Sequence, residues 1–481
     1  MSPDQIRQIA DAIASELLQK PPAFSSMNAP TPRAAPASGL GDGVFKTIDE
    51  AAKAARAAFI AMDSLGLDKR RQIITALRAA LLPQAEYMAK FAEDETGLGR
   101  WEDKVIKNLL VINKTPGPEA LITNAVSGDH GLSVIEPAPF GVFGAITPCT
   151  NPTSTIICNA IGMLSAGNSV VFNVHPSAKM VSRWTVQFIN KVIMDNGGPP
   201  NLLTCVANPT IESAGQLMHH PLVRILAVTG GGGVVKAAMN SGKRAICAGP
   251  GNPPTVVCDS ADIEKAGADI VKGHSFDNNV ICVDEKEVIA VDSITDQLKA
   301  VMCRNGAVEI PASELSRLEK VIFSKGAGPR GHATVNREFV GKNAENILRA
   351  LGMPGGREVR CLLVEVDNDH PLVWTEQMMP VLPITRVKNT LAGIDLAIQA
   401  EGGCFHTASM HSRNINHLSK MAKDCNASIF VKNGPHYSGL GQGGEGYTSF
   451  TIASPTGEGL TGPREFSRWR RCAIVENFRI T

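Results

Sequence analysis

From Val142 onward the chain alternates short apolar runs with stretches of helical spacing, and no other feature restricts its folding as tightly. The runs GVFGAIT, SVVFNV, LLTCV and RILAV are separated by helices expected near 155–164, over 179–195 and near 212–218, with another starting at Val234. Strand, helix, strand in repetition requires a parallel sheet covered on both faces, because each crossover must carry the chain back to the start of the next strand. PTVVC, EVIAV, CLLVEV, ITRV and SIFV, with helices from Ile263 to about Lys272 and near 295–304, make a second alternation. Two α/β domains in tandem follow. Ahead of them Thr47-Ile48-Asp49-Glu50 forms a capping box for a helix through about Met62, and helices continue from Asp68 to about Glu95 and from Trp101 to about Asn113. Segment 127–139 and the Gly-rich tail from His436 fit neither pattern and are candidate arms or edge strands.

Residues 1–20 place Ile6, Ile9, Ile13 and Leu17 at helical spacing, and 21–43 form a Pro/Ala-rich linker. This reads as a tethered amphipathic helix serving interaction; a helix folded back on the body and a frayed terminus are the alternatives. Lys and Arg number 47 against 46 Asp and Glu, so no basic field favours nucleic acid. No apolar run is long enough to span a membrane and no secretory signal opens the chain, which points to the cytosol. Eleven cysteines without CxxC pairs fit reduced thiols.

Three places could carry chemistry. The turn Thr229-Gly230-Gly231-Gly232-Gly233 joins a strand to a helix, so backbone and helix N-terminus could meet a phosphate; it matches neither G-x-G-x-x-G nor a P-loop, and an ordinary tight turn is the alternative. Cys282 lies in the polar loop FDNNVIC, and Cys149 at a strand end in PCTNP; both are candidate nucleophiles, whereas Cys158, Cys205 and Cys361 sit inside apolar runs. No histidine or cysteine cluster has zinc spacing, so no metal is expected.

Together AITPCTNPTST, VVFNVHPSA, VTGGGGVVKAAM, CAGPGNPPTVV, the Cys282 loop, WTEQMMPVLPI, FHTASMHS and TGEGLTGPREFSRWRR resemble the aldehyde dehydrogenase superfamily, and within it the CoA-acylating acetaldehyde/propionaldehyde dehydrogenases of bacterial microcompartments. The resemblance runs from about Gly43 to the C-terminus. It implies an α/β aldehyde dehydrogenase fold: a Rossmann-like NAD-binding domain over 44–246 with an arm segment at 127–139, a catalytic domain over 247–435, and an oligomerisation arm and tail over 436–481.

The resemblance makes Cys282 the nucleophile that forms an acyl thioester. Thr150 aligns with the family's oxyanion asparagine and Asn151 follows it; Asn151 is taken as the donor. His406 matches a histidine near the thiol, either a proton relay or a structural hydrogen-bonder. Glu376 matches the glutamate that holds the nicotinamide ribose, and Asn173 replaces a lysine common in the family, leaving NAD against NADP open. NAD contacts are expected at Thr147, Pro148, Cys149, Asn173, His175, Pro176, Thr229, Gly230, Gly231, Gly232, Gly233, Gly249, Glu376 and Met378. Hydrolytic relatives carry a glutamate 34 residues before the cysteine, where this chain has Ala248. Without that base, coenzyme A replaces water as acyl acceptor. The expected reaction is aldehyde, propionaldehyde first, with CoA and NAD⁺ giving acyl-CoA and NADH. Residues 1–20 resemble encapsulation peptides that bind a microcompartment shell or cargo protein, and the chain is expected as a homodimer or homotetramer within a microcompartment. A hydrolytic dehydrogenase and a catalytically silent scaffold are the rival readings.

Overall fold

The computed structural model describes residues 40–480. The amphipathic helix expected over 1–20, and the linker up to residue 39, lie outside the described residues.

The first α/β unit is a six-stranded parallel sheet in the order Val44–Phe45, Leu203–Val206, Ser169–Asn173, Val142–Ile146, Val223–Thr229, Ala245–Ala248. All five residues of Val142–Ile146 are buried, as a strand covered by helices on both faces requires. From this strand the chain winds outward in one direction through Ser169–Asn173 and Leu203–Val206, then returns to its other side through Val223–Thr229. That reversal makes a crevice at the carboxyl ends of Val142–Ile146 and Val223–Thr229. The loops opening into it are 147–151 and 229–233.

The second unit is a seven-stranded parallel sheet ordered Ala307–Glu309, Cys361–Glu365, Val381–Val387, Glu287–Val291, Pro254–Val257, Thr407–His411, Ile429–Lys432. The alternation did not reveal Thr407–His411, because TASMH mixes polar and apolar residues. Its polar side chains are accommodated by partners: Ser409 donates to Thr255 and meets the His436 ring. Ala245–Ala248 was too short to register.

Helix Ile48–Asp63 starts on the expected capping box, Thr47 and Glu50 satisfying each other's backbone N–H groups. The helical span beyond it is broken at Leu82–Gln84, a 3₁₀ turn containing Pro83, between Gly66–Leu81 and Ala85–Thr96. Helix Pro152–Ser165 begins three residues before the expected Thr155 and is buried along its whole length. Its polar residues find partners inside: Thr153 donates to Asn108 Oδ1 and Asn159 Oδ1 accepts from Thr451. Segment 127–139 falls within the hairpin Asn124–Gly128 and Gly131–Pro139, and Ser467–Val475 adds to it as a third antiparallel strand. The rest of the tail does not join this arm: Tyr437, Leu440, Phe450, Ile452 and Phe466 pack into the main core.

Candidate active site

The loop bearing Cys282 follows helix Ile263–His274 and holds three consecutive residues in the left-handed region: Asp277 at φ 48°, Asn278 at 55° and Asn279 at 64°. Non-glycine residues persist there only when their surroundings hold them. Here each side chain is tied down. Asp277 accepts from the Arg100 N–H at 2.7 Å, from Lys104 Nζ at 2.9 Å and from Lys107 Nζ. Asn278 Nδ2 faces the carbonyl of Gly341 and Oδ1 of Asn343, both at 2.9 Å. Asn279 Nδ2 faces the carbonyls of His274 and Glu285, at 2.9 and 3.0 Å.

Downstream, Asp284-Glu285-Lys286-Glu287 looks in sequence like a solvated charge run. All four are fully buried. Lys286 Nζ donates to the Asn279 carbonyl at 3.0 Å, Asn279 Oδ1 at 2.7 Å and the Ile281 carbonyl at 3.1 Å, clasping the loop on both sides of Val280. Burial pushes the Asp284 and Glu287 carboxyls well above the ordinary range and Glu285 to about 8, and the neighbouring Lys286 opposes each of these shifts. Periodicity cannot detect this arrangement, since the signal was only that EVIAV begins with a charge.

Cys282 itself is half-buried. Burial, with the neighbouring Glu376 carboxylate adding to it, pushes the thiol up to about 12, and Lys286 opposes both. At rest the thiol is protonated. Burial also pushes His406 down to about 4, leaving a neutral imidazole whose Nδ1 meets Thr407 Oγ1 at 2.9 Å and whose Nε2 has no partner. Gly251 lies between Glu376 and His406: its backbone donates to Glu376, and a Cβ at that position would lie 3.0 Å from the His406 side chain. The other cysteine candidate, Cys149, is half-buried, and burial pushes its thiol up as well.

Asn151 precedes the buried helix Pro152–Ser165 and is 6% exposed. Its Oδ1 accepts from Lys107 Nζ at 2.6 Å and its Nδ2 donates to Thr150 Oγ1 at 3.2 Å. Lys107 had no signal in the sequence, where it reads as one polar face of helix Trp101–Lys114; in the fold it is 2% exposed, and burial pushes its ammonium down to about 8.

The crevice residues suit a dinucleotide. A Cβ on Gly231, Gly232 or Gly233 would meet nothing within 4 Å, so the turn before helix Gly232–Met239 is open to a phosphate group. Thr147 is buried at the crevice with Oγ1 unpartnered, Pro148 is half-buried beside it, and His175 and Pro176 are exposed at the carboxyl end of their strand. Asn173 is not free to replace the missing lysine: Ser213 Oγ donates to its Oδ1 and its Nδ2 reaches the Thr210 carbonyl at 3.4 Å. Thr229 Oγ1 pairs with Thr451 Oγ1 at 3.0 Å. Ala248 ends its strand 2% exposed, and Gly249, which follows it, lies against Pro455. Met378, two residues past Glu376, is held at φ 54°. Among the described residues no group of three or more His, Cys, Asp or Glu is placed to hold a metal, and no helix is long and apolar enough to cross a membrane.

Comparison with known proteins agrees with this geometry. The model of the aldehyde dehydrogenase family matches residues 38–309. The acetylating acetaldehyde dehydrogenase of Escherichia coli is 48% identical over 91% of this chain and 93% of its own length. A propionaldehyde dehydrogenase of Rhodopseudomonas palustris, solved with bound CoA and an acylated cysteine, superimposes with a TM-score of 0.89 at 48% identity, covering 92% of this chain and all of that one. A propionaldehyde dehydrogenase from the Clostridium phytofermentans fucose utilisation bacterial microcompartment gives 0.88 at 43% identity, covering 91% of this chain and all of that one.

Proposed function

The chain belongs to the aldehyde dehydrogenase family, and from that premise we propose that it converts a short-chain aldehyde, CoA and NAD⁺ to acyl-CoA and NADH through a thioester on Cys282. The observation that carries the choice of CoA over water is Ala248, a methyl side chain where hydrolytic relatives hold their base. The nearby carboxyl of Glu376 is itself pushed up by burial and is turned to the Gly251 backbone. A thioester in this site therefore lacks a dedicated base for water, and a thiol, itself more acidic than water, is the better acceptor.

NAD⁺ when bound supplies the hydride acceptor and a positive ring charge. The chain's own part begins with the Cys282 thiol, which must lose its proton before attack. The unpartnered Nε2 of neutral His406 is the acceptor this site offers, and Lys286 favours the thiolate. Attack on the aldehyde carbon produces an alkoxide, which Asn151 Nδ2 and the Cys282 backbone N–H are suited to stabilise as donors. Loss of hydride leaves the thioester on Cys282, which CoA then cleaves, restoring the thiol.

Propionaldehyde is the first substrate to test, with acetaldehyde beside it because relatives of both kinds match. A place inside a microcompartment, reached through residues 1–20, and a dimer or tetramer built on the arm sheet complete the reading. NADH formation from two- to four-carbon aldehydes, with and without CoA, tests it: sustained turnover is expected with CoA, and at most one equivalent of NADH without it, together with an acyl adduct on Cys282 by mass spectrometry. Multiple turnovers without CoA would establish a hydrolytic enzyme instead.

A further inference from the structure

Lys107 carries an inference beyond this reaction scheme. Its ammonium is buried and contacts three acceptors: a carboxylate oxygen of Asp277, the Thr150 carbonyl at 3.4 Å and Asn151 Oδ1 at 2.6 Å. Asp277 thus contacts two buried ammonium groups, with Asp103 and Asp284 close by, and Lys104 already meets both the Asp277 carboxylate and the Thr150 carbonyl, at 2.9 and 3.4 Å. The acceptor unique to Lys107 is the asparagine.

We infer that Lys107 is a positioning residue for the alkoxide donor: it fixes Oδ1 of Asn151 so that the amide presents Nδ2, and through Asp277 it ties that amide to the loop bearing the nucleophile. An asparagine amide can turn over with little steric cost, which would present its acceptor oxygen to a forming anion. An ammonium on Oδ1 forbids that orientation and polarises the amide, so its N–H groups become stronger donors. Asp277 completes the link. It sits five residues before Cys282, at the start of the left-handed run, so donor and nucleophile are referenced to one buried carboxylate. The inference rests on reading Asn151 as the alkoxide donor.

A double-mutant cycle on the full-length enzyme tests it, comparing Lys107→Met, Asn151→Ala and the double variant at saturating NAD⁺ and CoA. Asn151→Ala is expected to lower kcat about 100- to 1000-fold. Lys107→Met is expected to lower it about 10- to 100-fold, with the aldehyde KM and the double variant's kcat relative to Asn151→Ala each unchanged within about threefold. The rate of Cys282 alkylation by iodoacetamide, which forms no alkoxide, is expected to stay at the wild-type value. Losses that multiply in the double variant would overturn the inference by showing that Lys107 acts apart from Asn151. Alkylation slowing in step with kcat would overturn it as a general distortion of the loop. Full activity in Asn151→Ala would remove the donor reading itself, a result distinct from either. Should Lys107→Met not fold, Lys107→Gln, which keeps a neutral donor, replaces it in the same cycle.

Discussion

At the scale of single residues, the site is defined by ionisable groups taken out of water. Glu285 accepts from the His436 N–H at 2.9 Å, has its second oxygen unpartnered, and crowds Gly273 so closely that no Cβ would fit there. Its folded-state value near 8 stands against an ordinary 4.5. Between those values the folded chain keeps a proton that the unfolded chain has lost, so the group's contribution to stability is complete below about pH 4.5 and is lost as pH rises toward 8. Glu285→Gln removes that dependence. Its Tm is expected to rise relative to wild type between pH 5 and pH 8, by an amount equivalent to a few kcal/mol at most (~1.4 kcal/mol for each pH step of one between the two values), and melts across that range check it. A constant difference would mean the carboxyl is already ionised in the fold. The family resemblance points to Cys282, Glu376 and His406, whereas residue type by itself leaves Cys149 beside Cys282 as a candidate nucleophile. Asp284, Lys286 and Lys107 passed unnoticed, since a charged side chain in sequence looks solvated unless its partners are known.

At the scale of elements, the nucleophile's loop is the unusual part. Three left-handed residues in succession are unfavourable for any chain outside glycine, and the anchoring contacts of Asp277, Asn278 and Asn279 offset that cost. Asn278 reaches furthest outward, to Gly99, Gly341 and Asn343. Asn278→Ala keeps the strained backbone and removes the anchor. It is expected to destabilise the protein by about 2–4 kcal/mol and to change the alkylation rate of Cys282; chemical denaturation and iodoacetamide kinetics measure both. Unchanged stability would show that Asp277 and Asn279 hold the loop without it. Helices and strands with a clear period, such as Lys179–Asp195 and Ile263–His274, were legible within a residue or two. Thr407–His411 was not, because its central Ser409 finds its partners, Thr255 and His436, elsewhere in the chain.

At the scale of the whole molecule, a crevice at the reversal of the first sheet receives the dinucleotide-type loops, and the Cys282 loop enters the second sheet at Glu287–Val291. Lys107 and Asp277 join the two, across 170 residues of chain. Residues 1–20 read as an interaction helix tethered by the Pro/Ala-rich segment 21–43, so their deletion is expected to leave kcat/KM within about threefold of wild type while abolishing co-purification with microcompartment shells; a large loss of turnover would assign that segment a part in the site. Hydrophobic period and local motif are properties of neighbouring residues, and they are enough to dictate two parallel α/β layers and to narrow the thiol to Cys282 or Cys149, between which the family resemblance chooses. Burial of Asp284 to Glu287, and the grip of Lys107 on Asn151, 44 positions away, arose only when the whole chain packed. Lys107 enters the interior because distant Asp277 and Asn151 supply its partners, and Lys286 finds acceptors five and seven residues away only because the packed fold holds that loop in its left-handed conformation.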